Sequence, residues 1–135
     1  MRIVVDASVA LKWVLDEPGS DAAAALRGQE LVAPALWLAE AANALWRRAC
    51  IGEITSVEAN IRVSELRKAP VASLSIEPYL DQALELAAEM GHPVYDCIYL
   101  ALALRHGTHV VTADRRFASA ASIPARAGSV RLLTV

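Results

Sequence analysis

Short runs of β-branched and aliphatic residues alternate along this chain with stretches that have helical spacing. Such alternation favours a parallel sheet, because parallel strands need a crossover, usually a helix, to bring the chain back. We therefore expect an α/β layer fold around a central parallel sheet. A chain of 135 residues is long enough for one core and too short for two, so residues 1–135 are expected to form a single domain.

Turn-forming and capping residues divide the chain into elements. The predicted strands are residues 3–5, 31–33, 71–76, 109–112 and an edge strand at 131–135. The predicted helices are residues 9–15, 20–26, 34–50, 55–68, 78–90, 95–105 and a short piece at 115–120. Pro34 is expected to open the third helix and Ser20 to cap the second. Thr55 and Glu58 have the spacing of a capping box.

The composition limits what the surface can do. Apolar residues make up 56% of the chain and aromatic residues 5%, which predicts an aliphatic core. That apolar fraction exceeds the roughly 45–50% of an average soluble domain, and a self-association surface is the simplest place for the excess. The net charge of −2 argues against the broadly basic surface of a duplex-coating protein. Any nucleic acid must therefore be held locally, by a few arginines near a site.

Neither cysteine has the spacing of a metal or redox motif, so Cys50 and Cys97 are expected to be small core residues. The acid at position 6 interrupts any signal-like apolar segment near the N-terminus. The longest apolar run, residues 97–104, is well short of the ~20 residues that cross a bilayer. We expect a soluble, cytoplasmic protein with no membrane partner.

Four acids occupy positions where a carboxylate is unusual, either directly after a strand or within an apolar helix. Asp6 closes the first predicted strand, and Asp114 follows the strand at 109–112. Glu40 lies in an almost wholly apolar helix, and Asp96 lies at the start of the most hydrophobic helix. Each also has a purely structural explanation. The three aspartates can cap a helix or interact with its dipole, and Glu40 can belong to the solvated side of its helix.

Considered together, the four acids indicate one common site. Asp6 and Asp114 fall at the carboxyl ends of strands, which is where ligands bind in such sheets, and the other two lie on flanking helices. Carboxylates packed this closely raise one another's pKa unless a cation neutralises them. Hard oxygen ligands suit Mg²⁺ or Mn²⁺. Such a cation can polarise a phosphodiester and lower the pKa of a bound water, which makes a nucleophile.

The remaining polar residues offer no competing chemistry. None of His92, His106 and His109 is expected to form an acid–base pair. Ser8 could be a nucleophile only with a partnered base, and no Ser/His/Asp arrangement is visible. We expect its hydroxyl, with that of Thr112, to support a metal or a phosphate.

Four segments together resemble those of the PIN-domain nucleases, and most closely the VapC toxins of bacterial and archaeal toxin–antitoxin systems. No single segment is specific, but the four acids in this order are specific jointly, and the resemblance spans essentially the whole chain. The segments are Val5-Asp6-Ala7-Ser8-Val9, Glu40 with Asn43, Tyr95-Asp96-Cys97, and Thr112-Ala113-Asp114-Arg115-Arg116-Phe117.

The resemblance implies a three-layer α/β/α sandwich and an endoribonuclease that depends on Mg²⁺ or Mn²⁺. Asp6 and Asp96 would be direct metal ligands, with Glu40 and Asp114 ligating the metal or orienting waters. Ser8, Asn43 and Thr112 match positions that support the site. The resemblance also implies a homodimer that is silenced by a cognate VapB-like antitoxin, whose C-terminal segment covers the acidic cleft.

One departure from the family pattern concerns the residues after Asp114. Some relatives carry a further acid there, whereas this chain has Arg115 and Arg116. The site is therefore expected to hold one firm metal, with these two arginines as contacts for RNA phosphates. Lys12, Arg47 and Arg48 are further cationic candidates.

Two other function classes remain as alternatives. A phosphatase that uses an aspartate nucleophile would place an Asp-x-Asp motif after the first strand, but Ser8 replaces the second acid. A non-catalytic or degenerate PIN-like interaction module would be expected to have lost at least one of the four acids.

Overall fold

The computed structural model describes residues 2–134, so Met1 and Val135 lie outside the described residues. The strands are β1 (Arg2–Val5), β2 (Glu30–Pro34), β3 (Val71–Leu74), β4 (Val110–Thr112) and β5 (Val130–Leu132). The α-helices are α1 (Ala7–Ala10), α2 (Ser20–Leu26), α3 (Trp37–Cys50), α4 (Ser56–Arg67), α5 (Leu80–Met90), α6 (Val94–Arg105) and α7 (Arg115–Ala120). Single 3₁₀ turns lie at Leu11–Trp13, Glu77–Tyr79 and Pro124–Arg126.

The five strands form one sheet in the order β3-β2-β1-β4-β5, and all four pairings are parallel. The chain moves outward from β1 to β2 and β3, then crosses back to β4 and continues outward to β5. Because such crossovers are right-handed, the helices before β3 cover one face of the sheet and those after it cover the other. The predicted three-layer α/β/α sandwich around a parallel sheet is confirmed.

The order of the strands reverses between β1 and β4, which are hydrogen-bonded neighbours. This is the topological switch point, where the connections leave the sheet in opposite directions and open a crevice at the carboxyl ends of the strands. Asp6 follows β1 directly and Asp114 lies just beyond β4. The fold therefore places both acids at the crevice.

The core is built mainly from aliphatic residues and includes most of helix α6. Residues 97–103 of α6 are all buried, so this helix is surrounded by protein on every side, and it packs against β1, β2 and β4. Cys97 is buried as expected, but Cys50 is exposed at the end of α3, so its assignment to the core was wrong. Within the described part of the chain, no helix is long and apolar enough to cross a membrane.

Of the predictions made from short local motifs, one was confirmed and another was wrong. The capping box is confirmed, since Thr55 accepts from the backbone N–H of Glu58 and the Glu58 side chain bonds back. The prediction that Pro34 opens a helix was wrong, because the β2–β3 ladder extends through it and the Ala35 N–H donates to the Leu74 carbonyl at 2.7 Å. Helix α3 begins only at Trp37.

Ser20 does not cap helix α2, contrary to expectation. The N-cap position is held by Gly19, whose φ of 90° places it in the left-handed region that favours glycine. The Ser20 hydroxyl instead donates to the Leu15 carbonyl and accepts from the Glu17 N–H. It therefore closes the turn that precedes the helix.

Candidate active site at the switch point

Asp6 is buried at the carboxyl end of β1, with only 6% of its surface exposed. It occupies the N-cap position of α1, but its side chain makes no capping hydrogen bond, so the capping explanation was wrong. Its Oδ2 atom instead accepts from the Ser8 hydroxyl at 2.7 Å and from the Thr112 hydroxyl at 2.6 Å. Because both hydroxyls converge on Oδ2, the Oδ1 atom is left without a hydroxyl donor.

The backbone after β4 sets the direction of these two hydrogen bonds. The Ala113 N–H donates to the Ser8 hydroxyl and the Asp114 N–H donates to the Thr112 hydroxyl, both at 3.0 Å. Each hydroxyl therefore accepts from a backbone amide and gives its own proton to Asp6. Ser8 and Thr112 thus hold a carboxylate in place and link the ends of β1 and β4.

Burial has a clear effect on the Asp6 carboxyl group. Removal from water raises its pKa from 3.8 to about 6, the two hydroxyl donors oppose that rise, and the charge of Asp96 adds to it. A charged carboxylate is thus costly here without a cation.

Glu40 faces the same region from α3. The hydroxyl of Tyr99, which is fully buried, donates to its Oε1 atom at 2.6 Å. Burial, helped by the charges of Asp6 and Asp96 and opposed by the Tyr99 hydrogen bond, raises the pKa of Glu40 from 4.5 to about 7. Glu40 is thus half-buried close to Asp6 and Asp96, whereas Arg47 of the same helix is exposed, so the solvated-face explanation holds for Arg47 but not for Glu40. Asn43 is exposed on the same helix.

Asp96 lies in the first turn of α6, where Pro93 holds the N-cap position. Its Oδ2 atom is 2.6 Å from the Nε2 atom of His92. Burial is the largest cause that raises the pKa of Asp96, and the charge of Asp114 contributes in the same direction. Asp96 is thus a first-turn acid, as the structural explanation predicted, and is also bonded to a side chain next to the site.

Asp114 is the N-cap of α7. Its Oδ1 atom accepts from the backbone N–H groups of Arg116 at 2.9 Å and Phe117 at 3.4 Å. The capping interpretation is therefore confirmed for this residue. The cap leaves the Oδ2 atom outside these two bonds, and it fixes the carboxylate at the edge of the group, where its charge acts on Asp96.

Two residues that hold the acids were missed by the sequence interpretation. No role beside the acids was expected for His92, yet it contacts Asp96 and its ring stacks on Phe117, with centroids 5.4 Å apart. Tyr99 was treated only as part of an apolar run. A signal was available for each: His92 precedes Asp96 by only four residues, and a tyrosine in a wholly buried helix needs a partner for its hydroxyl.

The donor set fits a hard divalent cation. All four acids offer oxygen, and burial with mutual repulsion raises the pKa of three of them. Among residues 2–134, however, no three acids, histidines or cysteines form a ready-made metal cluster. A site with few direct protein ligands still suits Mg²⁺, which typically uses one or two carboxylates and keeps several waters. It does not suit zinc, whose structural sites close a tetrahedron of protein ligands.

The cations divide into paired and unpaired groups. Lys12 and Arg48 are both held by Glu17, at 3.1 and 2.8 Å, so they are poor candidates for contacts with nucleic acid. Arg115 and Arg116 are exposed at the start of α7. In the described part of the chain, neither of these two side chains has a carboxylate partner.

The comparisons with known proteins agree with this geometry. The model of the PIN domain family matches residues 3–123. Ribonuclease VapC3 of Pyrobaculum aerophilum is 37% identical over 123 residues, which cover 87% of this chain and 93% of that protein. Ribonuclease VapC12 of Mycobacterium tuberculosis is 34% identical over 118 residues, with 86% and 89% covered.

A solved structure supports the same assignment. The crystal structure of a protein from Pyrobaculum aerophilum matches 97% of this chain and 83% of its own, with a TM-score of 0.73 and 27% sequence identity. Since the family model and the relatives both span most of the sequence, the chain belongs to the PIN-domain family and, within it, to the VapC-type nucleases.

Proposed function

We propose that the protein is an endoribonuclease that depends on Mg²⁺ or Mn²⁺ and serves as the toxin of a toxin–antitoxin pair. The observation that carries this proposal is the Asp6 carboxylate, which is buried at the switch point and held through Oδ2 by two hydroxyls. The relatives named ribonuclease VapC3 and VapC12 support RNA as the substrate.

Asp6 and Asp96 are the proposed direct ligands, with Glu40 and Asp114 holding the waters around the cation. A divalent cation held there would polarise the phosphodiester and lower the pKa of the attacking water. Ser8 and Thr112 keep Asp6 oriented, and Asn43 is proposed to support the site from the exposed side of α3. Glu40 is the proposed general base, because it is half-buried beside the acids and its carboxylate is held by the Tyr99 hydroxyl. Its Oε2 atom can accept the proton of that water, since Oε1 is bonded to Tyr99.

The RNA backbone is proposed to contact the start of α7. Arg115 and Arg116 are exposed there, directly after the cap residue Asp114. Arginine contacts to phosphates position RNA without selecting sequence. Contacts from only two arginines beside the site are consistent with a chain whose net charge is −2.

RNA cleavage tests the proposal most simply. The wild type should cleave RNA with Mg²⁺ or Mn²⁺ and lose that activity in EDTA, and Asp6→Asn and Asp96→Asn should both be inactive. The exposed acid Asp16, after the turn that follows α1, offers Asp16→Asn as a matched control that should keep full activity. Metal-independent cleavage, or full activity in both site variants, would contradict the mechanism.

A direct Mn²⁺ titration covers the case in which the natural RNA is missing from the assay. Wild type and Asp16→Asn should bind Mn²⁺ alike, whereas Asp6→Asn should bind much more weakly. The alternative function, a non-catalytic interaction module, is favoured by one observation, the lack of a ready three-residue metal cluster within residues 2–134. A wild type that binds no Mn²⁺ would support that alternative.

The proposed partners are a VapB-like antitoxin and a second copy of the chain. The VapC-type family membership supports the antitoxin. Exposed apolar side chains support self-association, because Trp46 and Ile51 are 60% and 71% exposed and line one hollow at the end of α3. Sedimentation analysis should find a dimer for the wild type and a monomer for Trp46→Glu. A monomeric wild type would rule out this part of the proposal.

A further inference from the structure

A second feature of the surface opens directly beside the acidic site. It is a cleft of about 350 Å³, formed by α3 and the first turn of α6. Pockets that hold small ligands typically measure ~300–1,000 Å³. The cleft is lined by Leu36, Ala39, Glu40, Asn43, Arg47 and Tyr95. Glu40 belongs to both the cleft and the acidic site, so a ligand in the cleft lies next to the proposed cleavage position.

Tyr95 presents an uncovered aromatic ring to this cleft. It is 66% exposed although it immediately precedes the half-buried Asp96. In the described part of the chain its ring stacks on no other aromatic residue and its hydroxyl has no hydrogen-bond partner. Exposed aromatic rings beside nucleic-acid channels are surfaces on which unpaired bases stack.

The polar residues of the cleft are also free to bind a ligand. Within residues 2–134, the side chains of Asn43 and Arg47 have no hydrogen-bond or ion-pair partner, whereas the adjacent Arg48 is held by Glu17 and Glu53. An amide offers both a donor and an acceptor, which suits the edge of a base. A free guanidinium suits a phosphate. The cleft thus contains groups for each part of a nucleotide.

We propose that this cleft is a nucleotide subsite for single-stranded RNA, in which a base stacks on Tyr95, Asn43 contacts its edge and Arg47 contacts the neighbouring phosphate. The proposal rests on the proposed ribonuclease function and adds the residues that hold a nucleotide beside the cleavage position. A base can reach Tyr95 only if it is unpaired and turned out of a helix, so the substrate segment is a loop or another single-stranded stretch.

A protein partner is the competing occupant. An almost wholly apolar hollow adjoins the cleft on the other side of Tyr95, where Leu80 and Ile98 contribute to its lining. A peptide that binds through apolar side chains would be expected to use that hollow. The cleft itself combines an unpaired cation with an acid of the catalytic group, and this charge pattern favours RNA.

Binding of a labelled single-stranded RNA of roughly 10 nucleotides, with randomised sequence, tests the subsite. The measurements use fluorescence anisotropy in an Asp6→Asn background, so that cleavage does not consume the probe. Tyr95→Phe keeps the ring and should bind like the Asp6→Asn parent. Tyr95→Leu keeps an apolar side chain without a ring and should bind about tenfold more weakly, as loss of one stacked base predicts.

The arginine is tested with a matched surface control. Arg47→Ala should lower the slope of affinity against salt by about one phosphate contact. Arg67→Ala, which removes an exposed arginine at the end of α4, should leave that slope unchanged. Equal slopes for the two variants would overturn the assignment of Arg47.

The outcomes separate the subsite from the function on which it rests. If the Asp6→Asn parent binds RNA and Tyr95→Leu binds as tightly as Tyr95→Phe, the subsite is wrong while the ribonuclease proposal stands, and a protein becomes the better occupant. If neither the Asp6→Asn parent nor the wild type binds any RNA of the pool, the subsite is wrong, and the ribonuclease proposal is decided separately by RNA cleavage and Mn²⁺ binding. A tenfold difference between Tyr95→Phe and Tyr95→Leu supports the subsite.

Discussion

The Nε2 atom of His92 lies 2.6 Å from the Oδ2 atom of Asp96, and the His92 ring stacks on Phe117. Asp96 belongs to the start of α6 and Phe117 to α7, so one histidine side chain connects two helices that border the acidic site. Partners of this kind orient metal ligands and tune their affinity.

Loss of the His92 hydrogen bond should weaken metal binding. His92→Phe keeps a ring against Phe117 but removes the bond to Asp96, so Mn²⁺ affinity should fall by about 10–100-fold, as for other residues that orient metal ligands. His92→Gln can restore a donor near the position of Nε2 and should recover much of that loss. Calorimetric titration with Mn²⁺ measures both. Equal affinities for His92→Phe and the wild type would show that the contact does not position Asp96.

Thr112 should contribute to stability as well as to the site. It is fully buried and links the Asp114 N–H to Asp6, so Thr112→Val leaves polar groups without partners. We expect a loss of about 1–3 kcal/mol in the free energy of unfolding. Thr112→Ser keeps the hydroxyl and should lose less. Urea denaturation of the two variants and the wild type checks this, and equal losses for Val and Ser would indicate that only packing matters.

Asp114 has two roles that substitutions can separate. Asn also caps helices, so Asp114→Asn should keep the stability of α7 while it removes a charge from the acidic group. Asp114→Ala removes the cap as well as the charge and should lower the free energy of unfolding by about 0.5–2 kcal/mol. Thermal unfolding in EDTA reports the cap and Mn²⁺ titration reports the charge. A large loss of stability in Asp114→Asn would contradict this division.

Without metal, the protein should lose stability as the pH rises from about 4 to 7. Burial raises the pKa of Asp6 from 3.8 to about 6 and that of Glu40 from 4.5 to about 7. Across this window the folded chain binds protons that the unfolded chain has already released, so the free energy of unfolding falls as the pH increases. Unfolding in EDTA at several pH values measures the slope.

Metal should reverse much of this effect, because a cation binds the deprotonated carboxylates of the folded chain. The gain in stability from Mn²⁺ should therefore be small at the acidic end of the window and large above it. A Mn²⁺ effect that does not change with pH would indicate binding elsewhere.

Tyr99→Phe should shift the pH dependence of cleavage. The Tyr99 hydroxyl donates to Glu40 and so lowers the pKa of that carboxyl group, which burial has raised. Removal of the hydroxyl should raise the Glu40 pKa, and the acidic limb of the pH–rate profile should move to higher pH while the buried ring keeps the packing. An unchanged profile would show that Glu40 is not the group that limits the rate.

The sequence predicted the features that depend on neighbouring residues. The alternation of strands and helices led to the parallel sheet, and the Thr55 capping box lies within four consecutive residues. The positions of the acids at the ends of β1 and β4 followed from the same reasoning, since carboxyl ends of parallel strands share one edge of the sheet. The prediction that Pro34 opens a helix was wrong because the pairing of β2 with β3 outweighed the local preference of proline for a helix start.

The supporting contacts of the site could not be read in the same way. Ser8 and Thr112 are 104 residues apart and Glu40 and Tyr99 are 59 apart, and no periodicity connects such pairs. Each depends on how helices pack across the sheet. His92 is different, because its spacing from Asp96 is local, but its ring orientation depends on Phe117 from another element.

Anomalous diffraction from a crystal soaked in Mn²⁺ tests the central claim most directly. We expect one strong peak at the switch point, with carboxylate oxygens of Asp6 and Asp96 about 2.1 Å away, a distance typical of such ions. The peak should be absent from Asp6→Asn crystals treated in the same way. A peak that avoids both carboxylates, or none in the cleft of the wild type, would contradict the assignment of these acids as a metal site.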